Sequence, residues 1–234
     1  LLMSTWSTQK TYEDITYKKQ HELEVQKIAD QLDIVHTIEK TILESESTSE
    51  IIYNTLDKTL EKLPLLRASL ALFEPSKNLF YAYARTTSEE GSVTDGKTFN
   101  LADFGLYETL NKKRRNHLED LSKKKVKTKT DEILINEGAK LVLMSPLLHG
   151  DELIGSLNVC FKDQDLKDVE HYTEITNEVA NGLAIAIHQS QLKDELHSSN
   201  MAITASIDYA KMIQQSYIPT SLAMGGHFED HLII

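Results

Sequence analysis

Cys160 is the only thiol in the chain, and this limits the sulfur chemistry that the sequence allows. A disulfide framework, a thiolate zinc cluster and a reductase with attacking and resolving cysteines all need more than one cysteine. Cys160 also lies in a strongly apolar stretch, Leu153 to Phe161. We therefore predict a buried packing cysteine rather than a reactive thiol.

The histidines offer neither a convincing phosphoacceptor nor a metal site. His188 has the helical setting of a kinase phosphoacceptor, but the acidic residue and the proline that should follow it are missing, and the chain has no ATP-binding glycine motif. His117, His149, His171 and His197 stand singly, without the i, i+4 spacing that brings two ligands to one helix face. We predict no metal site and no catalytic residues.

A basic cluster stands out in an otherwise acidic chain of net charge −11. Nine positive charges fall within eighteen residues, Lys112, Lys113, Arg114, Arg115, Lys123, Lys124, Lys125, Lys127 and Lys129. Such a contrast could attract a nucleotide, an acidic partner or a membrane surface, although a solvated loop is the favoured interpretation. Because no aromatic residues are interleaved, and because the whole chain is acidic, we predict no nucleic-acid partner.

The composition is that of a globular protein with a real core. Of 234 residues, 40% are hydrophobic and 26% charged, which argues against disorder and fits one or two domains. No window approaches the roughly 18 consecutive apolar residues that span a membrane, so no membrane association is predicted. The single cysteine fits a reducing compartment, and we predict a cytoplasmic protein. The apolar ending at residues 231–234 suggests a fragment of a longer protein.

The sequence predicts three main helices and two β-hairpins. Apolar residues at steps of three and four predict helices over residues 12–43, over 51–63 with Thr48 or Ser49 as N-cap, and over about 165–218. Turn residues between short apolar runs predict one hairpin over residues 67–85 and another over 141–161. Short helices over 99–111 and 130–138 are expected to flank a strand at 117–121.

From residue 141 onward the order of motifs resembles the C-terminal half of a GAF domain, a small-ligand sensor module. The motifs are Ser145-Pro146-Leu147, the turn at Gly150, Leu153-Ile154-Gly155-Ser156-Leu157 and the helix from Val179 to Ile187. Arg67-Ala68-Ser69-Leu70 and Leu118-Glu119-Asp120-Leu121 fit the N-terminal half. The resemblance covers residues 46–190 and implies an α+β, PAS-related fold with a central antiparallel sheet and long helices on one face. Coiled-coil helices are predicted at both termini.

Alternation along the strand of Cys160 predicts a core face and a ligand face. Leu153, Leu157, Val159 and Phe161 would share the core face, and Ile154, Ser156, Asn158 and Cys160 the other. By family analogy, the predicted pocket combines small or polar strand residues with closing segments around Phe104, Leu118 and Ile133. Its residues are Ser69, Ala71, Ala82, Phe104, Leu118, Ile133, Ser156, Asn158 and Cys160.

The contents of this pocket stay open at the level of sequence. The residue signature of cyclic-nucleotide GAF domains is not matched, because the region of Asn116 continues into lysines where a phenylalanine is expected. No cofactor is predicted. An unknown small molecule such as a nucleotide, an empty pocket and a repacked pocket remain alternatives.

The last helix carries a heptad seam. Its positions alternate in steps of four and three through Leu196, Asn200, Ile203, Ile207, Ala210, Gln214 and Tyr217. This spacing predicts a homodimeric coiled coil, with a helix packed on a further domain as the alternative. Two amides and one alanine make the seam weak, so its register is adjustable.

Residues 207–219, IDYAKMIQQSYIP, resemble the helix that enters the catalytic domain of SpoIIE-type, metal-dependent serine/threonine phosphatases. The resemblance implies a downstream phosphatase domain in cis, whose metal-binding aspartates are not among these 234 residues. The predicted organisation is a signalling helix at 1–45, a GAF-like sensor at 46–190, an output helix at 191–218 and the start of a phosphatase domain at 219–234. A ligand-free dimerisation scaffold is the alternative function.

Overall fold

The computed structural model describes residues 2–87, 94–162 and 169–217. Its helices are α1 (Leu2–Glu44), α2 (Thr48–Lys62), α3 (Leu101–Phe104), α4 (Tyr107–Lys113), α5 (Lys129–Asn136) and α6 (Val169–Tyr217). Its strands are β1 (Arg67–Glu74), β2 (Leu79–Thr86), β3 (Lys97–Asn100), β4 (His117–Asp120), β5 (Leu141–His149) and β6 (Glu152–Phe161). The chain divides into a compact unit, residues 1–188, and a second unit from residue 189 onward.

The six strands form one antiparallel sheet in the order β3-β2-β1-β6-β5-β4. Both predicted hairpins are present, β1 with β2 and β5 with β6, and the sheet joins them by pairing β1 with β6. In this register Ser69 faces Ala84 on one side and Asn158 on the other. The small and polar strand residues therefore lie side by side at the middle of the sheet.

The long helices pack on one face of the sheet, as the predicted fold class requires. Ile38 and Ile42 of α1, Ile52 of α2, and Ile175 and Leu183 of α6 are buried there. They pack with the side chains of the strands that point to the same face. The fold class is confirmed as an α+β arrangement around a central antiparallel sheet.

A second core lies on the opposite face, under the short helices. Phe73 and Phe80 from the strands pack edge-to-face with Phe104 of α3, with ring centroids 5.0 and 5.6 Å apart. Leu110 of α4 and Cys160 of β6 are buried in the same cluster. Residues 99–111 do not form the single helix predicted from sequence, because the backbone enters the sheet as β3 and Gly105, at φ +72°, ends α3.

The predicted faces of β6 are wrong at its start. Leu153 packs with the short-helix core and Ile154 with the long-helix core, the reverse of the expectation from simple alternation. The cause is a register irregularity between Leu147 and Leu148, where Leu148 faces Leu153 while Leu147 faces Gly155. One extra residue on one strand inverts the side of every residue before it.

Helix ends follow the local sequence, with one correction. The N-cap of α2 is Ser47, whose hydroxyl accepts a hydrogen bond from the Glu50 amide at 3.2 Å, rather than Thr48 or Ser49. Leu63 is the C-cap, directly before Pro64, as the proline predicts. Among the described residues, none of the helices combines the length and apolar character needed to cross a bilayer.

Alanine substitutions at Gly155 and Gly182 are expected to change the stability of the protein in opposite directions. A Cβ at Gly155 would lie 2.5 Å from the Ala71 carbonyl oxygen of β1, so Gly155→Ala is expected to force two strands apart. We expect the free energy of unfolding to fall by about 1–3 kcal/mol. A Cβ at Gly182, inside α6, would meet Ile42 Cδ1 at an ordinary 3.6 Å. Gly182→Ala is expected to raise the free energy of unfolding by about 0.5–1 kcal/mol. Urea denaturation measures the free energy of unfolding of both variants. An equal loss of stability in Gly155→Ala and Gly182→Ala would contradict this explanation.

Candidate functional site

A partly open cavity of about 70 Å³ lies between the sheet and the short helices α3 and α5. Its lining residues are Arg67, Ser69, Leu70, Ala71, Phe80, Ala82, Thr94, Phe99, Phe104, Leu106, Thr130, Asp131, Leu134, Val142, Met144 and Asn158. The alanines and the serine on the strands leave this space, because larger side chains there would fill it.

Five of the predicted pocket residues line this cavity together, Ser69, Ala71, Ala82, Phe104 and Asn158. The antiparallel register explains this grouping, because Ala71 faces Ala82 on β2 and Ser69 faces Asn158 on β6.

The other four predicted residues do not line the cavity. Leu118 lies on the edge strand β4 and is 44% exposed. Ile133 packs against the short-helix core. Ser156 and Cys160 are fully buried in β6 on either side of Asn158. The Ser156 hydroxyl donates to Asn158 Oδ1 at 2.7 Å, so Ser156 orients the Asn158 amide.

Arg67 is a cavity residue that the sequence reasoning did not place in the pocket. It is 3% exposed, and its Nη1 lies 2.6 and 2.8 Å from the two carboxylate oxygens of Glu137. Its Nη2 donates to the hydroxyl of Thr94, a second cavity residue. The signal in the sequence was a charged residue at the start of a strand that is otherwise apolar or small.

Asp131 places a carboxylate in the opposite wall, on α5. It caps its own helix, with Oδ2 accepting from the Thr128 amide at 2.7 Å and from the Thr128 hydroxyl at 2.9 Å. The Lys124 ammonium lies 2.9 Å from the same oxygen. Since each buried charge of the wall has a counter-charge, the cavity suits a ligand of low net charge that hydrogen-bonds to both donors and acceptors.

Cys160 is fully buried and lies outside the cavity lining. Burial raises the pKa of its thiol to about 12. Since the thiolate is the reactive form, the folded protein holds Cys160 as an inert thiol at neutral pH.

We expect Cys160 to resist labelling in the folded state. At pH 8, iodoacetamide should leave the native protein unmodified for hours and should modify it within minutes in 6 M guanidinium, about the concentration that unfolds even hyperstable domains. Mass spectrometry measures both states. Rapid labelling without denaturant would contradict the burial of this thiol.

Within residues 2–87, 94–162 and 169–217, the histidines and acids do not gather into a metal site. In the described parts of the chain, no cluster of three or more His, Cys, Asp or Glu side chains could hold a metal ion. His149, at the β5–β6 turn, stacks on His188 of α6 with ring centroids 3.6 Å apart. His188 therefore packs against the hairpin end instead of standing free as a phosphoacceptor would.

The basic cluster is divided between the end of α4 and the loop before α5. Lys123 pairs with Asp120 at 2.8 Å, and Arg114 donates to the Asp151 carbonyl. Lys112, Lys113, Arg115, Lys125 and Lys127 are exposed. These contacts describe a mostly solvated surface with local pairing.

The seam residues Leu196, Asn200, Ile203, Ile207, Ala210 and Gln214 are exposed along the second unit. Tyr217 ends α6. The predicted phosphatase segment at 219–234 lies outside the described residues. The coiled coil and the dimer therefore stay predictions.

The sheet order, the helix layer and the cavity under the short helices define a GAF fold. The chain is similar to the phycocyanobilin-bound GAF domain from a cyanobacterial phytochrome, with 21% identity, 70% of this chain and 96% of that chain covered, and a TM-score of 0.58. It is also similar to the GAF domain from Acinetobacter phosphoenolpyruvate-protein phosphotransferase, with 16% identity, coverages of 70% and 97%, and a TM-score of 0.55.

A third similar structure is free methionine-R-sulfoxide reductase from Neisseria meningitidis in complex with its substrate. It is 14% identical, with coverages of 70% and 91% and a TM-score of 0.56. No protein-family model and no curated protein matches the sequence. At these identities the solved structures establish the fold.

Proposed function

We propose that residues 46–190 form a sensor domain that binds a small polar molecule and controls an output carried by α6. The observation that supports this most is the cavity, whose wall combines apolar side chains with the buried polar side chains of Arg67, Thr94, Asp131 and Asn158. Such a combination of apolar enclosure with a few oriented polar groups is typical of ligand sites. Two of the similar structures are described as bound to phycocyanobilin and as in complex with a substrate.

The size of the cavity limits the ligand. About 70 Å³ is far below the ~300–1,000 Å³ of drug-sized pockets, so the space as it stands suits a ligand smaller than a drug-sized molecule. A nucleotide would require the walls to move apart.

A thermal-shift screen tests the sensor function. We would screen small polar metabolites against the protein and against Ala82→Leu, which fills the cavity floor. A ligand at 100 times its Kd should stabilise the wild type by about 2.7 kcal/mol and leave Ala82→Leu unchanged. Leu118→Ser is the matched control, because Leu118 is exposed away from the cavity, and it should keep the full shift. A shift that survives Ala82→Leu would place binding elsewhere, and a screen without any shift would favour the ligand-free scaffold.

We further propose that the protein is a homodimer joined through α1 and α6. Val25, Ile28 and Leu32 of α1 are exposed at helical spacing, as are Leu196 and Ile203 of α6. Apolar stripes of this length need a covering partner, and the heptad spacing of α6 fits a second copy. Sedimentation at micromolar concentration should give twice the chain mass of 26.5 kDa. A monomer at that concentration would reject the proposal.

The output we propose is control of a SpoIIE-type serine/threonine phosphatase domain in cis, in a cytoplasmic signalling protein. The support is the resemblance of residues 207–219 to the entry helix of that family. In this proposal the present chain regulates and does not catalyse. Phosphatase assays on the longer protein, with and without residues 1–190, would show whether the sensor changes turnover.

A further inference from the structure

The turn formed by Thr94, Asp95 and Gly96 lies at the edge of the sheet, between β2 and β3, and we call it the edge turn. Thr94 is buried, lines the cavity and accepts a hydrogen bond from Arg67 Nη2. The next side chain, Asp95, is held by β2. Its Oδ1 accepts from the Ala84 amide at 2.8 Å, and its Oδ2 accepts from Arg85 Nη1 at 3.2 Å.

Arg85 carries this connection to the other face of the sheet. Neighbouring strand residues point to opposite faces, so Ala84 lies with the short-helix side and Arg85 with the long helices. Arg85 Nε donates to Asp57 of α2 at 3.0 Å, and its guanidinium carbon lies 4.1 Å from the ring centroid of Tyr53, also on α2. Tyr53 in turn packs edge-to-face on Tyr83, with centroids 5.7 Å apart.

Elsewhere the sheet lies between the cavity and the long helices. The residues of α2 that contact the strands pack in the long-helix core, whereas most cavity residues lie on the opposite side, Leu70 being a cavity residue that packs in the long-helix core. In the edge turn, Thr94 contacts Arg67 on the cavity side of the sheet, and the next residue, Asp95, contacts Arg85 on the long-helix side. A displacement of the turn therefore acts on Arg67 and on Arg85 together.

We propose that the edge turn transmits the occupancy of the cavity to α2, through Thr94, Asp95 and Arg85. A ligand that offers an oxygen acceptor to Arg67 Nη2 competes with the Thr94 hydroxyl and displaces the turn. Asp95 then moves relative to Arg85. The Arg85 guanidinium changes its position between the carboxylates of Asp95 and Asp57 as a result. This assignment rests on the proposed sensor function of the cavity.

The pairing around Arg85 suits such an exchange. Its side chain is 34% exposed and lies between two carboxylates, those of Asp57 and Asp95. Partly solvated ion pairs are individually weak, so moving from one carboxylate to the other has a low cost. Arg67, by contrast, is buried and held by both oxygens of Glu137, which makes it the fixed end of the connection.

The test needs no ligand, so its outcome is separate from that of the sensor proposal. Thr94→Val removes the hydroxyl at nearly constant volume, and methyl NMR of Ile51 and Ile52, both buried in α2, reports on the helix. We expect Thr94→Val to shift both methyl resonances, and we expect Arg85→Met to reduce that shift by about threefold or more, as coupled residues do in a double-mutant cycle. Thr94→Ser, which keeps the hydroxyl, should restore the wild-type spectrum and also controls for misfolding.

Thr130→Val is the matched control. Thr130 lines the same cavity, but its hydroxyl donates to the Asp103 carbonyl of α3 at 2.6 Å and has no connection to Arg85. It should leave Ile51 and Ile52 unchanged. Equal shifts from Thr94→Val with and without Arg85, or equal shifts from Thr94→Val and Thr130→Val, would overturn the proposal.

Discussion

Arg67→Ala is expected to lower the free energy of unfolding by about 3–5 kcal/mol, the usual effect of removing one partner of a buried ion pair. The Glu137 carboxylate is largely buried, and the substitution would leave it without the guanidinium that contacts both of its oxygens. The Thr94 hydroxyl would lose a charged donor at the same time. Chemical denaturation measures the change directly.

Two further variants isolate the cause. Lys58→Ala breaks a surface pair of similar length, 2.6 Å to Glu61, and should change stability by less than about 1 kcal/mol because that pair is solvated. Arg67→Met combined with Glu137→Leu removes both buried charges and should be more stable than Arg67→Ala alone. If Arg67→Ala is as mild as Lys58→Ala, the buried ion pair does not hold β1 to the end of α5.

Replacing Asn200 and Gln214 together with leucine is expected to strengthen the proposed dimer by about 1–3 kcal/mol per chain, the scale of exchanging an imperfectly satisfied buried polar group. A dimer carries the change twice, so its dissociation constant should fall by about 30-fold or more. The physical reason is that amides at seam positions weaken a coiled coil while restricting its register. In the longer phosphatase that we propose, the stiffened seam should make output insensitive to the upstream signal.

Gln191→Leu with Gln215→Leu is the matched control, since both glutamines lie on α6 outside the heptad seam. It should leave the dissociation constant unchanged in sedimentation experiments. If the seam variant also leaves dimerisation unchanged, Asn200 and Gln214 face solvent and the heptad assignment is wrong. If dimerisation strengthens and signalling persists, the seam is present and the switch lies elsewhere.

Parts of the site were predictable because they depend on local patterns. The hairpin β1–β2 follows from turn residues between two apolar runs. Once the hairpin forms, alternation places Ser69 and Ala71 on one face of β1, and Ala82 of β2 lies beside Ala71 on the same face. The same logic groups Asn158 with them once β6 pairs with β1. These residues were predicted to line the pocket because they share one face of the sheet, and the structure places them in the cavity wall for the same reason.

Other parts depend on contacts between distant segments. Strand β3 has only four residues and is held by β2, so its own sequence favoured a helix start. The faces of Leu153 and Ile154 were inverted, because the irregularity at Leu147 and Leu148 belongs to the pairing of two strands. Leu118 joined the predicted pocket by family analogy, and its edge strand leaves it exposed.

The long helices and both hairpins could be predicted from the sequence, because they follow from apolar periodicity and turn chemistry, and the packing role of Cys160 followed from its apolar strand. The fold class was predicted through the resemblance of the motif order to GAF domains. The pairing of Arg67 with Glu137, seventy residues further along the chain, and the position of Asp131 in the cavity wall became visible only in the folded structure. The physical reason is that a buried charge is tolerated only where folding brings a counter-charge to it, and no local pattern specifies that partner.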